Sequence, residues 1–228
     1  MKVGLDLRKA QPNYYMLFLA FILLIGFGAV AVATSEYPIN SLDVHLAAFV
    51  QSFENPSLTV VMKMFTAIGS TKGCVVIILL AMIFLYFVLG HRMELIFFSG
   101  VVGGSAVINQ IMKGGFQRER PSVYRLIEES GYSFPSGHAM GAFALYGALV
   151  FLLWRHVSTK QRRSLLIVSS VLMIGMICIS RIYLGVHHPS DIIAALMVSG
   201  AWLTLMIWLF QRFMEYRELR SSSKSEAM

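Results

Sequence analysis

Residues 192–210 read Ile-Ile-Ala-Ala-Leu-Met-Val-Ser-Gly-Ala-Trp-Leu-Thr-Leu-Met-Ile-Trp-Leu-Phe, a run without a single charge. At 1.5 Å of helical rise per residue it reaches about 28 Å, close to the roughly 30 Å of a bilayer's hydrocarbon core. Five more apolar segments precede it: Met16 to Ala33, Cys74 to Leu89, Met93 to Met112, His138 to Leu153 and Leu165 to Ile179. Lipid offers the backbone no hydrogen-bond partners, so segments this apolar pair their own N–H and C=O groups as helices rather than as strands of alternating polarity. The chain is therefore expected to be all-α, an integral membrane bundle of six transmembrane helices in a single domain over residues 1–228. The second segment is short, and Leu58 to Ile68 leads into it and can add a turn or two.

Composition points the same way. Of 228 residues, 57% are hydrophobic and 14% charged, against roughly 25% charged in an average soluble domain, and mean hydropathy is +0.68. That excludes a soluble enzyme, a disordered tail protein and a nucleic-acid binder. The net charge of +7 reports topology first in a membrane chain. Lys2, Arg8, Lys9, Arg92, the four cations from Arg155 to Arg163 and the four of the C-terminal tail fall on one side of the six segments. Lys63, Lys72, Lys113, Arg118, Arg120, Arg125 and Arg181 fall on the other. The positive-inside rule assigns the larger set, and both termini, to the cytoplasm. Cys74 and Cys178 lie inside apolar runs, so no disulfide framework is expected.

Between the first two segments, Leu42, Leu46, Phe49, Val50 and Phe53 recur at helical spacing, with Asp43, His45, Gln51 and Glu54 opposite them. This predicts an amphipathic helix lying in the membrane interface and ended by Asn55-Pro56. The basic N-terminus and the first segment, ending Ala31-Val32-Ala33, imitate a secretory signal. The run exceeds the 7 to 15 residues of a signal core, which favours an uncleaved anchor behind a cytoplasmic tail over 1–15. Residues 212–228, with Ser221-Ser222-Ser223-Lys224-Ser225, read as a disordered cytoplasmic tail.

Three clusters carry chemistry, and all border outside-facing loops. In Lys113-Gly114-Gly115-Phe116-Gln117-Arg118-Glu119-Arg120-Pro121, the glycine pair permits a sharp turn and two cations can meet, although a polar connecting loop explains it equally well. Phe134-Pro135-Ser136-Gly137-His138 opens the fourth segment. Proline suits a helix entry, and the following N–H groups would be first-turn donors for an anion such as phosphate, unless the stretch is an ordinary cap. In Ser180-Arg181-Ile182-Tyr183-Leu184-Gly185-Val186-His187-His188-Pro189-Ser190-Asp191, the carboxylate of Asp191 lies four residues after His187, where it can hold one ring nitrogen and free the other. Adjacent His187 and His188 lack further ligands for a metal site, so no metal is expected.

Together the clusters resemble the type 2 phosphatidic acid phosphatase superfamily, whose signature is Lys, six residues, Arg-Pro; Pro-Ser-Gly-His; and Ser-Arg, five residues, His, three residues, Asp. All three are met without substitution over residues 113–191. The six-segment layout also looks like the core of that family's membrane-embedded members. The resemblance implies that His187 attacks phosphorus to form a phosphohistidine, that Asp191 holds its ring, and that His138 protonates the leaving alkoxide. It implies that Lys113, Arg120, Arg181, the Ser136 hydroxyl and the Gly137 N–H bind the phosphate oxygens. No cofactor is needed, because these cations supply the charge, and His188 is given no role.

The expected function is hydrolysis of a lipid phosphate or diphosphate at the extracytoplasmic face of a cell membrane, with a bacterial inner membrane preferred. Phosphatidylglycerophosphate, undecaprenyl diphosphate and phosphatidate all fit a signature that touches only phosphate. Two alternatives belong to other classes: an oxidoreductase like the vanadium haloperoxidases, and a catalytically inactive lipid-phosphate binding or transport protein. Six membrane segments weigh against the first, and the presence of both His187 and His138 against the second.

Overall fold

The computed structural model of the protein describes residues 14–37, 39–88, 90 and 92–226. Within them the chain is all-helical: α1 (Tyr14–Glu36), α2 (Ser41–Gln51), α3 (Pro56–Gly69), α4 (Thr71–Ile83) continued by a π-helical turn (Phe84–Val88), α5 (Arg92–Phe116), α6 (Gly137–Leu153), α7 (Lys160–Tyr183) and α8 (Pro189–Glu226). Four of these, α1, α5, α7 and the first 32 residues of α8, are long and apolar enough to cross a membrane. Helices α3 and α4 pass that test only as a pair, bent by 56°. The bend has a local cause, since the Ser70 side chain caps α4 by accepting the Gly73 N–H. Counting the pair as one crossing gives five. The remaining expected span, α6, is an apolar helix of 17 residues, held short by its Ser136 cap.

Two boundaries differ from the sequence reading. The amphipathic helix stops at Gln51, and Asn55 with Pro56 starts α3 instead of ending α2, because the Asn55 side chain accepts the Leu58 N–H. Residues 212–226, read as a disordered tail, continue α8. Extending an existing helix avoids the nucleation cost, and Arg212 pairs with Glu215 at 2.8 Å on its surface. Of the tail expected over 1–15, residues 1–13 lie outside the described residues, while Tyr14 and Tyr15 already belong to α1.

Helix α6 is the hub, packed against α5, α7 and α8, while α1 runs along α8 and α3 along α7. Its alanines Ala142, Ala144 and Ala148 are fully buried. A Cβ on Gly147 would meet Leu203 at 2.6 Å, and one on Gly104 would meet the Trp202 ring at 2.2 Å. Such small residues let helices approach closely where lipid supplies no hydrophobic drive for association. The close packing fixes the N-terminal end of α6 against the end of α5 and the loop joining α7 to α8.

Candidate active site

The three clusters converge at that end of the bundle. Lys113 stands in the last turn of α5, and the chain does not turn at Gly114-Gly115: both are helical, and the turn comes at Gln117, with φ of 50°. At the head of α6, Ser136 is the cap and Pro135 precedes the helix rather than opening it. The Ser136 N–H is not a free donor, since it bonds the Asp191 carbonyl at 3.2 Å. Its hydroxyl oxygen accepts the Ala139 N–H at 3.5 Å, which leaves the O–H to donate elsewhere. Asn109 of α5 braces this turn through a 3.0 Å bond to the Pro135 carbonyl. A Cβ on Gly137 would come within 3.0 Å of the Asn109 side chain, so glycine fits here.

Pro189 opens α8, which puts Asp191 in its first turn. Asp191 Oδ2 lies 3.2 Å from His187 Nδ1 and accepts the His188 N–H at 3.0 Å. His187 Nε2 faces Arg120 Nη1 at 3.1 Å. An arginine can only donate, so Nε2 is the acceptor and the ring proton belongs on Nδ1, toward Asp191. Burial, reinforced by the charges of Arg181 and Arg120 and opposed by Asp191, pushes the His187 pKa down to about 4. The imidazole is therefore neutral at pH 7 with its lone pair on Nε2, which is the state a nucleophile requires.

Arg120 also donates to the carbonyls of Gly131, Ser130 and Val186, at 2.9, 3.1 and 2.9 Å. Arg181, 1% exposed, bonds the Thr66 hydroxyl and pairs with Glu129, while its buried Nε has no partner among the described residues. Lys113 and His138 are half-buried. Each lies within electrostatic reach of Arg181 and Glu129, and His138 also of His187 and Lys113. The eight residues singled out from the sequence thus lie at one end of the bundle, hydrogen-bonded, adjacent in the chain or within electrostatic reach of one another. Beside it opens a cavity of about 400 Å³ whose charged lining is Glu119, Arg120, Arg125 and Glu129.

Gly185 closes the arrangement. Its φ is +71°, and a Cβ there would meet the Tyr124 carbonyl oxygen at 2.0 Å. Only glycine allows the α5–α6 loop to lie against the strand of chain that carries His187, where Leu126 N–H bonds the Leu184 carbonyl at 3.1 Å.

Sequence reasoning missed three residues. Glu129 brings a carboxylate among the cations; the Arg181 hydrogen bond and charge hold its pKa below the usual range, against the opposing push of burial. Arg118, counted only as a loop cation, pairs with Asp191 at 2.6 Å and with Asp43 at 2.9 Å. Asp43, read as part of the wet face of α2, is 1% exposed. The Arg-x-Arg spacing before Pro121 was the available signal for Arg118; no sequence signal ties Asp43 or Glu129 to the site.

Comparison with known proteins matches a family model, that of the PAP2 superfamily, to residues 75–215. Phosphatidylglycerophosphatase B of Bacillus subtilis is 30% identical over 183 residues, covering 78% of this chain and 84% of that protein. Among solved structures, a transmembrane PAP2-type phosphatidylglycerolphosphate phosphatase from Bacillus subtilis superposes with a TM-score of 0.77 at 24% identity, over 86% of this chain and 97% of the other. Aquifex aeolicus LpxE gives a TM-score of 0.60 at 21% identity, over 74% of this chain and 96% of the other.

Proposed function

This chain belongs to the PAP2 superfamily, and from that premise we propose that it is a membrane lipid phosphatase that hydrolyses a terminal phosphomonoester or diphosphate through a phosphohistidine. The observation that carries the reading is the placement of His187, held between Asp191 and Arg120 with Arg181 and His138 within electrostatic reach. His187 Nε2 attacks the terminal phosphorus, and the bond from that phosphorus to the leaving oxygen breaks, the lipid oxygen in a monoester or the bridging oxygen in a diphosphate. His138 gives that oxygen its proton, then takes one from the water that cleaves the N–P bond, releasing phosphate and restoring both histidines. Lys113, Arg120, Arg181, the Ser136 O–H and the Gly137 N–H stabilise the extra negative charge of the five-coordinate transition state. These cations do the work a metal ion would otherwise do, so activity is expected to survive EDTA.

Phosphatidylglycerophosphate is the leading substrate, supported by the name of the Bacillus subtilis relative, with phosphatidate and undecaprenyl diphosphate as competitors. The deciding test is phosphate release by purified protein from a panel of the three in detergent. Preference for phosphatidylglycerophosphate supports the assignment; release from none would end the phosphatase reading.

We read the bundle as six crossings, with α3 and α4 forming one bent span and α6 a short one shielded from lipid by its neighbours. Both termini then lie in the cytoplasm and the site outside, in a bacterial inner membrane. A cysteine at Gly115 or Val123 is expected to react with an impermeant maleimide in intact spheroplasts, and one at Ser158 or Ser223 only after lysis. A Cβ at Gly115 meets nothing within 4 Å, so the label is tolerated. The opposite pattern would reverse the topology.

Glu129 stands where an incoming phosphate would meet Arg181. Glu129→Gln is expected to tighten vanadate inhibition about two- to fivefold, the value of a partly exposed ion pair. Unchanged inhibition would mean that the carboxylate does not compete for the site.

A further inference from the structure

Resting on the phosphatase reading, we infer that Asp43 and Arg118 are positioning residues for His187, acting through Asp191. The four side chains form one buried line, with Asp43 1%, Arg118 8%, Asp191 0% and His187 2% exposed. Arg118 Nη2 bonds Asp43 Oδ2 at 2.9 Å and its Nη1 bonds Asp191 Oδ1 at 2.6 Å. Asp191 Oδ2 is left for His187 Nδ1 and the His188 N–H.

Two carboxylates on one arginine have a geometric consequence. A guanidinium facing a single carboxylate takes both of its oxygens in a fork. Here Nη2 goes to Asp43, and Nη1 meets Asp191 Oδ1 together with the Ser190 Oγ at 2.8 Å, which leaves Asp191 Oδ2 to orient the imidazole. Arg118 also offsets the charge of two adjacent buried carboxylates, leaving Asp191 placed to accept the Nδ1 hydrogen bond.

Asp43 itself is held on several sides. Its Oδ1 accepts the Ser190 N–H at 2.8 Å, and its Oδ2 accepts the Ser190 O–H at 2.7 Å and Asn40 Nδ2–H at 3.2 Å. Asn40 returns the bond by capping α2 at the Asp43 N–H, 2.7 Å away. One carboxylate thus ties α2, the α5–α6 loop and the first turn of α8 together, through Ser190, the residue directly before the proposed nucleophile's own partner. Leu42, Leu46 and Phe49 on the same helix are exposed, so its remaining surface is free to face lipid while Asp43 reaches inward.

A purely adhesive role would lower stability or substrate affinity; a positioning role lowers kcat through Asp191. The test compares wild type, Asp43→Asn, Asp191→Asn and the double variant on a lipid phosphate and a soluble aryl phosphate. Asp43→Asn is expected to lower kcat about 10- to 100-fold on both, the usual cost of losing a group that orients a ligand, with KM changed less than about threefold. In the Asp191→Asn background its added cost is expected to fall below about threefold, because the route is already cut. A kcat near wild type, a change confined to KM, or full additivity would overturn the inference. If Asp43→Asn does not fold, Arg118→Lys asks the same question, since one ammonium cannot serve two carboxylates as a fork does. Nitrogen-15 NMR of His187 gives a reading independent of turnover: one tautomer protonated on Nδ1 in wild type, and a mixture in either variant. An unchanged tautomer would also overturn the inference. Wild type inactive on every phosphate ester would instead remove the phosphatase reading, and the NMR result would still decide the role of Asp43 and Arg118.

Discussion

His187→Ala is expected to lose the acid-labile, base-stable phosphoenzyme that wild type forms on brief mixing with labelled substrate, and to lower turnover by about 10⁴- to 10⁶-fold, as when other enzymes lose a covalent nucleophile. The size of the effect follows from the position. The ring is buried with Nδ1 on Asp191 and Nε2 on Arg120, and the neighbouring His188 makes its bond to Asp191 through the backbone, not its ring. His188 is therefore not placed to substitute. The rapid-quench experiment reads both quantities together, and undiminished labelling of the variant would reassign the nucleophile.

His138→Ala is expected to separate two kinds of substrate. A lipid alkoxide is a poor leaving group and needs its proton as the P–O bond breaks, so loss of the acid costs about 10²- to 10⁴-fold. A nitrophenolate leaves almost unaided, and its turnover should fall by less than about tenfold. Parallel assays on a lipid phosphate and nitrophenyl phosphate measure the contrast. Equal losses would mean that His138 acts only as one more electrostatic neighbour of Arg181 and His187.

The spacing of chemistry along the chain was legible because the signature residues sit in three short stretches, each a helix end or its adjoining loop, where local sequence dictates local geometry. Lys113 at the end of α5 and Asp191 in the first turn of α8 follow from such local reading. The partners of Arg118 were hidden for the opposite reason. They lie 73 and 75 residues away, and a contact of that separation leaves no periodic trace. Asp43 was read as solvated because a charge opposite an apolar stripe usually is; here the stripe is exposed and the charge is inside. Within the described residues the six apolar segments fall on helices, and His138 to Leu153 matches α6 to within one residue, but hydropathy alone did not reveal the 56° bend after Gly69.

The pairing of Glu129 with Arg181 bears on how a turnover ends. On the proposed reading, Lys113, Arg120 and Arg181 would hold the product, inorganic phosphate, by the same contacts as the substrate's terminal phosphate, and a slow departure would throttle every cycle that follows. The loop carries its own anion, partly exposed and tethered within reach of the cation it must satisfy. As phosphate loosened, the carboxylate would take over Arg181, so that the ion would leave by exchange rather than by stripping a bare guanidinium inside the protein. Product release would then be paced by a side chain of the enzyme itself and not by the slow rehydration of a buried charge.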